Sequence, residues 1–388
     1  MNFNESEEIA ALRETLRKFV SRECTPEAVG RWDREDHIPR EMLLKLAELG
    51  LCGLCVPVEY GGLGRQVIAL SVTVQELARG STAIAGLYSM NASYGGLNIS
   101  SCGTEEQKRR LLPGLLAGET IFAYGLSEPD VGADLAGVKT RAERRGDMVV
   151  VNGAKRWTSG ATQADYIYTL VRSGPADARR QNLSFVLIPT GAAGVKLTKL
   201  KSMGNNGAAL HDVTLENVEV PFANVIGGEA GWNHAWSMLA GPALEVEKLG
   251  PSSMALGLAE AALAEAWDYS QQRVQGGKRI CGHQAVRHVL SDCQTKIQAC
   301  RLMLHHAASL VEAGQPSALA TSMAKLFVAE NAKDIVLSCQ QYVMGAYGYA
   351  QGFNMERYVR DVLAIPIYGG SSAIQRNNIA NLLKLPRE

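Results

Sequence analysis

The 388-residue chain has no surplus of charge of either sign: 39 lysines and arginines face 39 aspartates and glutamates. Without excess positive charge it has nothing to follow a phosphate backbone or an anionic bilayer, so neither nucleic acid nor membrane is an expected partner. No run of about 18 apolar residues occurs, and no membrane span is expected. The opening Met-Asn-Phe-Asn-Glu-Ser-Glu-Glu is polar and acidic with no apolar signal core behind it, and a cytoplasmic location is expected. Several signature loops are also missing. There is no G-x-G-x-x-G after a strand, no G-x-x-x-x-G-K-[ST], no H-E-x-x-H and no G-x-S-x-G. Any nucleotide cofactor must therefore be held outside a dinucleotide fold. The eight cysteines are scattered. Cys52 and Cys55 form one C-x-x-C with apolar flanks and no second pair, the pattern of two buried thiols in a reducing compartment. Cys293 and Cys300 lie on an apolar helical stripe and read the same way. His305 and His306 point apart on a helix, and no metal is expected.

What is present describes a globular chain of two or three units: 46% hydrophobic and 20% charged residues. Ile9, Leu12, Leu16, Phe19 and Val20 make one helical stripe. Further helices are expected over 40–50, 66–79, 82–101 and 105–117, the last opening on a capping box from Thr104 to Gln107. Strand-like runs follow at 121–127, 148–152, 166–171, 183–188 and 212–220, separated by Gly, Asn, Asp and Pro clusters and with no helices between. From 232 the pattern is helical again, with Val286, Val289, Cys293, Ile297, Cys300, Leu304 and Ala307 in register, then helices over 316–345, 353–363 and 371–384. The expected class is α+β: an N-terminal helical domain (1–118), a middle antiparallel β-barrel (119–227) and a C-terminal four-helix bundle (228–388).

One stretch, Ala240-Gly-Pro-Ala-Leu-Glu-Val-Glu-Lys-Leu-Gly250, holds two glutamates that a helix would separate. The helical neighbours of Glu247 are Ala243, Leu244, Gly250 and Pro251, all uncharged. Glu245 points elsewhere with Lys248 in reach, as a solvated ion-pair partner would. A carboxylate on an apolar face has a raised pKa and can abstract a proton. In this window alone, two ordinary surface glutamates remain the simpler reading.

Three further segments carry more weight together than singly. They are Tyr124-Gly-Leu-Ser-Glu-Pro-Asp-Val-Gly-Ala-Asp-Leu-Ala-Gly137, Gly153-Ala-Lys-Arg-Trp-Thr-Ser-Gly160, and Ile367-Tyr-Gly-Gly-Ser-Ser-Ala-Ile-Gln-Arg376 preceded by Met355-Glu-Arg-Tyr-Val-Arg-Asp361. In order and spacing they resemble the acyl-CoA dehydrogenase family across essentially the whole chain. That family binds FAD without a Rossmann fold, in keeping with the missing fingerprint. The resemblance implies that Tyr124, Leu126, Ser127, Trp157 and Ser159 lie along the flavin. It implies that Gly132 and Ala133 lie beside the substrate thioester, where many relatives carry serine in place of Ala133. It implies that Arg273, Gln284 and the Gly345 turn reach the flavin's pyrophosphate and adenosine across a subunit contact. Here Gly276 replaces an aromatic and Tyr342 a glutamine of the usual pattern. Ser371, before a helix, suits an anion at a helix N-terminus.

The resemblance also bears on the two glutamates. In many relatives the catalytic glutamate follows a tyrosine in the C-terminal turn; that slot is Gly369, after Tyr368. A branch that includes isovaleryl-CoA and long-chain enzymes carries the base on the earlier bundle helix, and its slot falls on Glu247. The resemblance then implies α,β-dehydrogenation of an acyl thioester. Glu247 takes the α-proton, hydride passes to the flavin, and the Gly369 amide polarises the carbonyl. Glu245, Lys248 and Tyr368 are expected at the substrate end. An electron-transferring flavoprotein is the expected electron acceptor, and a homotetramer or dimer of dimers the expected assembly. The branch hints at branched, long or ring-bearing acyl groups of fatty acid metabolism. Three alternatives remain open at this point: action on acyl groups tethered to a carrier protein, enoyl reduction or oxygenation on the same fold, and a non-catalytic flavin-binding interaction protein.

Overall fold

Apolar residues at helical spacing build the first third of the chain, seen in a computed structural model that describes residues 5–239 and 242–386. Helix α1 (Glu7–Glu23) is capped by Ser6, buries Leu16 and Phe19, and packs on α4 (Val67–Gly80). Helix α2 (Pro26–Glu35) was not expected, although its signals are present. Thr25 accepts from the Ala28 amide, proline takes the first position, and Val29 and Trp32 are buried. Helix α3 (Glu41–Glu48), α5 (Thr82–Met90), α6 (Ile99–Cys102) and α7 (Glu105–Leu116) complete this layer. The expected capping box opens α7. The helix expected over 82–101 is interrupted by a π-helical segment, Asn91–Asn98. Such segments are uncommon and recur at functional sites.

The middle layer is a seven-stranded sheet in the order β1-β4-β2-β3-β7-β6, with β5 paired to β4. Its strands are β1 (Phe122–Gly125), β2 (Arg141–Arg145), β3 (Met148–Ser159), β4 (Tyr166–Arg172), β5 (Leu183–Pro189), β6 (Val195–Leu200) and β7 (Leu210–Pro221). Most pairs are antiparallel, as expected, but β1 runs parallel to β4 from Phe122–Tyr166 to Gly125–Thr169. Strands β2 and β6 were not expected, because their exposed charged residues hide the alternation. Strand β3 continues past Asn152 because Gly153, at φ 149°, brings its backbone so close to Thr140 that a Cβ would sit 2.6 Å from it.

Short helices α8 (Gly228–Gly231) and α9 (Ala235–Leu239) lead into the bundle. Its members are α10 (Pro242–Gln272), α11 (Gln284–Glu312), α12 (Ala318–Ser338), α13 (Asn354–Val362) and α14 (Ser372–Leu382). A hairpin, β8 (Val274–Gln275) with β9 (Lys278–Arg279), joins α10 to α11. A second π-helical segment, Cys339–Met344, follows α12. The predicted α11 stripe is buried from Leu290 through Cys293, Ile297, Cys300, Leu304 and Ala307. Helix α10 is the axis of the molecule, packing against α4, α11 and α12. Its contact with α4 is backbone-close, since a Cβ on Gly257 would lie 2.0 Å from the Gln75 carbonyl oxygen. All eight cysteines are free thiols, and burial pushes Cys52 and Cys55 up to about 12.

Candidate active site

Three elements meet at Glu247. Helix α10 carries the glutamate near its first turns, the π segment carries Tyr94, and β1 carries Tyr124. Gly95 lets Phe122 of β1 approach the π segment, where a Cβ would be 2.6 Å from the Phe122 ring. The Asn91 side chain accepts from the Phe122 amide at 3.1 Å and fixes that docking. The rings of Tyr94 and Tyr124 then stack with centroids 3.4 Å apart and planes 15° apart. The Tyr94 hydroxyl hydrogen-bonds the Glu247 carboxylate. Burial raises the Glu247 pKa, and this outweighs the opposing pull of Tyr94 and of the Lys248 charge. A carboxylate so placed can accept a proton where one with an ordinary pKa would be a weaker base.

Glu245 is not the solvated glutamate of the sequence reading. Lys248 donates to both its oxygens at 3.0 Å, the Thr321 hydroxyl donates to it, and Lys248 also reaches Ser322 at 3.3 Å. Both side chains are mostly enclosed, at 14% and 7% exposure. The pair is engaged with itself and with α12 rather than with solvent.

Gly369 packs against α10 at Pro251, one helical turn beyond Glu247. It has φ 62°, and a Cβ there would be 2.7 Å from Pro251 Cγ. Pro251 is four residues beyond Glu247, on the same helix face. The slot that carries a base in many relatives of this pattern is therefore closed to a side chain, while the backbone amide remains. The preceding Tyr368 has a buried hydroxyl with no partner among the described residues. Sequence reading missed Lys325, which is buried on α12. Its ammonium donates to the Ile365 carbonyl at 2.6 Å, lies 5.8 Å from the Tyr368 ring, and burial pushes it down to about 8. A lysine in the apolar stripe with Thr321, Val328 and Ala332 was the available signal.

The flavin-side residues are brought together. The Ser127 carbonyl accepts from the Arg156 amide at 2.8 Å, tying the end of β1 to β3 beside Trp157. Below them, Lys155 donates to the Leu126 carbonyl at 3.1 Å and to Glu128 at 2.9 Å in a fully buried ion pair. Trp157 has φ 65° and is 57% exposed, at a register shift between β3 and β7. A bulky residue held in the left-handed region with its ring open is a conformation that folding alone does not favour. Ser159 ends the same strand, and the buried Thr158 hydroxyl has no partner among the described residues. Open aromatic face, strand-edge backbone and hydroxyls are the donor set an isoalloxazine needs, so these residues fit FAD. Ala133 is exposed, and beside it Gly132 has nothing within 4 Å of its Cβ position.

A second group lies elsewhere. The Arg273 guanidinium sits over the Tyr347 ring at 5.3 Å, joining it to the turn that begins at Gly345, itself open at φ 58°. Gln284 is exposed and opens α11. Twenty-six residues of helix separate Glu247 from Arg273, about 39 Å along the α10 axis. Ser371 accepts from the Ile374 amide at 3.3 Å and caps α14. Among the described residues no group of three His, Cys, Asp or Glu side chains could hold a metal. Among the described residues no helix is long and apolar enough to cross a membrane.

Comparison with known proteins matches the whole length. Family models described as "Acyl-CoA dehydrogenase, N-terminal domain", "middle domain" and "C-terminal domain" match residues 6–119, 123–218 and 198–384. The "3-(aryl)acrylate reductase" of Clostridium sporogenes is 34% identical, over 99% of this chain and 100% of its own. A "Caffeyl-CoA reductase-Etf complex subunit" of Acetobacterium woodii is 32% identical, over 97% of this chain and 98% of its own. The structure of butyryl-CoA dehydrogenase from Megasphaera elsdenii superposes with a TM-score of 0.92 at 28% identity, covering 99% and 100% of the two chains.

Proposed function

Because the chain belongs to the acyl-CoA dehydrogenase family of FAD-binding oxidoreductases, we propose that it removes the α and β hydrogens of an acyl-CoA thioester, with Glu247 as the base. The observation that carries this reading is the pairing of two facts about one helix face. Glu247 is a desolvated carboxylate with a raised pKa, and the alternative slot at Gly369 is closed by Pro251. FAD, when bound, supplies the hydride acceptor. The protein supplies the rest. The Glu247 carboxylate takes the α-proton, and the Gly369 amide is the donor for the thioester carbonyl, where charge develops. Lys325 anchors the turn that carries Gly369 through the Ile365 carbonyl. The Lys155–Glu128 pair holds the Leu126–Ser127 edge in place for the cofactor.

The Arg273, Gln284 and Gly345 group serves the adenosine end of a cofactor bound mainly by a second copy. The length of α10 supports this, because residues at its two ends are too far apart to grip one site. The assembly this reading takes is a homotetramer or dimer of dimers, with units divided near 118 and 228. The subunit of an Etf complex among the relatives supports an electron-transferring flavoprotein as partner. A second reading, enoyl-thioester reduction, is favoured by the two relatives named as reductases.

The test is anaerobic bleaching of the bound flavin by a panel of acyl-CoA thioesters, with Glu247→Gln beside the wild type. The wild type bleaches with at least one saturated thioester, and the variant keeps its flavin but bleaches at least a thousandfold more slowly. A fully active variant would remove Glu247 from the mechanism. A wild-type flavin that is reduced only by another donor, and reoxidised by enoyl-CoA, would turn the reading to reduction.

A further inference from the structure

The turn after α13 continues the helical pattern of hydrogen bonds and then breaks it at one residue. The Ala364 amide donates to the Asp361 carbonyl at 3.3 Å and Ile365 to Val362 at 3.2 Å. Ile367 and Tyr368 both donate to the Ala364 carbonyl, at 2.9 and 3.3 Å. The next amide in the series is that of Gly369. Its acceptor would be the Ile365 carbonyl in an α-helix and the Pro366 carbonyl in a 3₁₀ turn. Both are engaged by other donors. From α12 the Lys325 ammonium donates to Ile365 at 2.6 Å. The Ser372 amide, at the first position of α14, donates to Pro366 at 2.9 Å. The chain turns aside at Gly369 and Gly370, with φ 62° and 76°. The Gly369 amide in consequence donates to no group among the described residues.

Lys325 is an unfavourable residue for a fold to keep in this place. It is 1% exposed, and the Ile365 carbonyl is its one hydrogen-bond partner among the described residues. A buried cation with so little compensation destabilises the native state. Its Cε lies 3.8 Å from where a Cβ of Gly369 would be. A methionine of similar length would fill the same space without that penalty, but it would leave the Ile365 carbonyl without its donor. A buried carbonyl in that state takes the nearest amide, and the amide in helical register with it is that of Gly369. Resting on the reading that the Gly369 amide polarises the thioester carbonyl, we propose that Lys325 is a positioning residue that keeps this amide free. It does so by occupying the carbonyl the amide would otherwise bond, while the Ser372 amide occupies the other one. An oxyanion donor acts only if it is unpaired and already in place when charge develops.

The experiment uses the flavin-loaded protein, first without substrate. In residue-resolved hydrogen exchange the Gly369 amide should exchange about tenfold more slowly in Lys325→Met than in the wild type, because it gains an acceptor. Ser372→Pro removes the other donor at a helix position that tolerates proline, after Ser371 at ψ 160°. It should slow the same amide. Flavin bleaching is then measured with the acyl-CoA that the wild type oxidises fastest. In both variants the rate at saturation should fall about a hundredfold, as for the loss of one oxyanion donor. The half-saturating concentration should change less than about threefold, since the lost contact strengthens only in the transition state. Lys325→Arg keeps a cationic donor and should bleach about tenfold faster than Lys325→Met. If Lys325→Met does not fold, Ser372→Pro decides. Exchange at Gly369 that is unchanged, or faster together with the whole turn, overturns the proposal whatever the bleaching does. Slower exchange with undiminished bleaching overturns instead the donor role of the Gly369 amide on which it rests. A wild type bleached by no acyl-CoA removes the dehydrogenase reading, and exchange at Gly369 then still decides what Lys325 does.

Discussion

At the scale of single residues, the candidate site is a set of groups held in states that water would not favour. Glu247 has its pKa raised by burial, so it is the basic form that is lost first on acidification. The bleaching rate should therefore fall as pH drops through a value above the ordinary glutamate range, and a pH profile in saturating substrate checks this. Lys325 is the converse case. Burial lowers it to about 8 from an ordinary 10.5, so between these values the unfolded chain binds more protons than the native one. Its contribution to stability then rises with pH across that window and is flat below it. Lys325→Met should abolish this rise, measured as the difference in urea midpoint between pH 7.5 and pH 10 for variant and wild type. Gly369 is constrained by both its φ of 62° and Pro251. Gly369→Glu added to Glu247→Gln should therefore leave the protein inactive, because Pro251 occupies the direction the new side chain would take. Recovered bleaching in that double variant would show that the turn can move.

At the scale of elements, α10 combines the base, a proline and two close crossings. Pro251 cannot donate to the carbonyl four residues back, which is that of Glu247, so the helix is loosened where the base sits. The next two residues back-bond to the helix: Ser252 donates to the Lys248 carbonyl at 2.7 Å and Ser253 to the Leu249 carbonyl at 2.8 Å. The Glu245–Lys248 pair then fastens this stretch to α12 through Thr321 and Ser322. Replacing one partner leaves the other charge buried alone, so Lys248→Met should cost about 3 kcal/mol, read from chemical denaturation. The double replacement Glu245→Leu with Lys248→Met should recover most of it. At the other crossing, Gly257→Ala would place a methyl 2.0 Å from the Gln75 carbonyl. Overpacking of this kind costs about 1–3 kcal/mol, and should appear as a lowered Tm.

At the scale of the whole molecule, the two groups of expected cofactor residues lie at opposite ends of α10, about 39 Å apart on the rise of a helix. One end holds Tyr124, Trp157 and Glu247; the other holds Arg273 with Tyr347 and the Gly345 turn. Aromatic rings on that far side, Tyr342 and Tyr349 among them, are largely exposed. If the far group serves a second copy's cofactor, Arg273→Ala should lower the flavin bound per protomer while leaving the acid limb of the residual bleaching unchanged. Flavin content measured by absorbance after gel filtration checks the first half, and the pH profile the second.

The order of helical, strand and helical layers was legible in the chain. Periodicity marked the α11 stripe, the capping box marked α7, and the spacing of three segments pointed to a flavin fold. Helical spacing put Glu247 and Glu245 on different faces, because a residue's helical neighbours depend only on local geometry, but it made Glu245 a solvated residue, which it is not. What surrounds them was not local. Tyr94 comes from a π segment that reads as plain helix, because the extra residue per turn changes hydrogen bonding and not composition. Strands β2 and β6 show few buried residues, so alternation could not announce them. Glu245 looked solvated because Thr321 and Ser322, which enclose it, are more than seventy residues away. The closure of the Gly369 slot by Pro251 and the burial of Lys325 are likewise contacts between distant segments. Only the tertiary structure could decide them, because desolvation and steric exclusion depend on what the fold brings alongside a residue, not on what the chain places next to it.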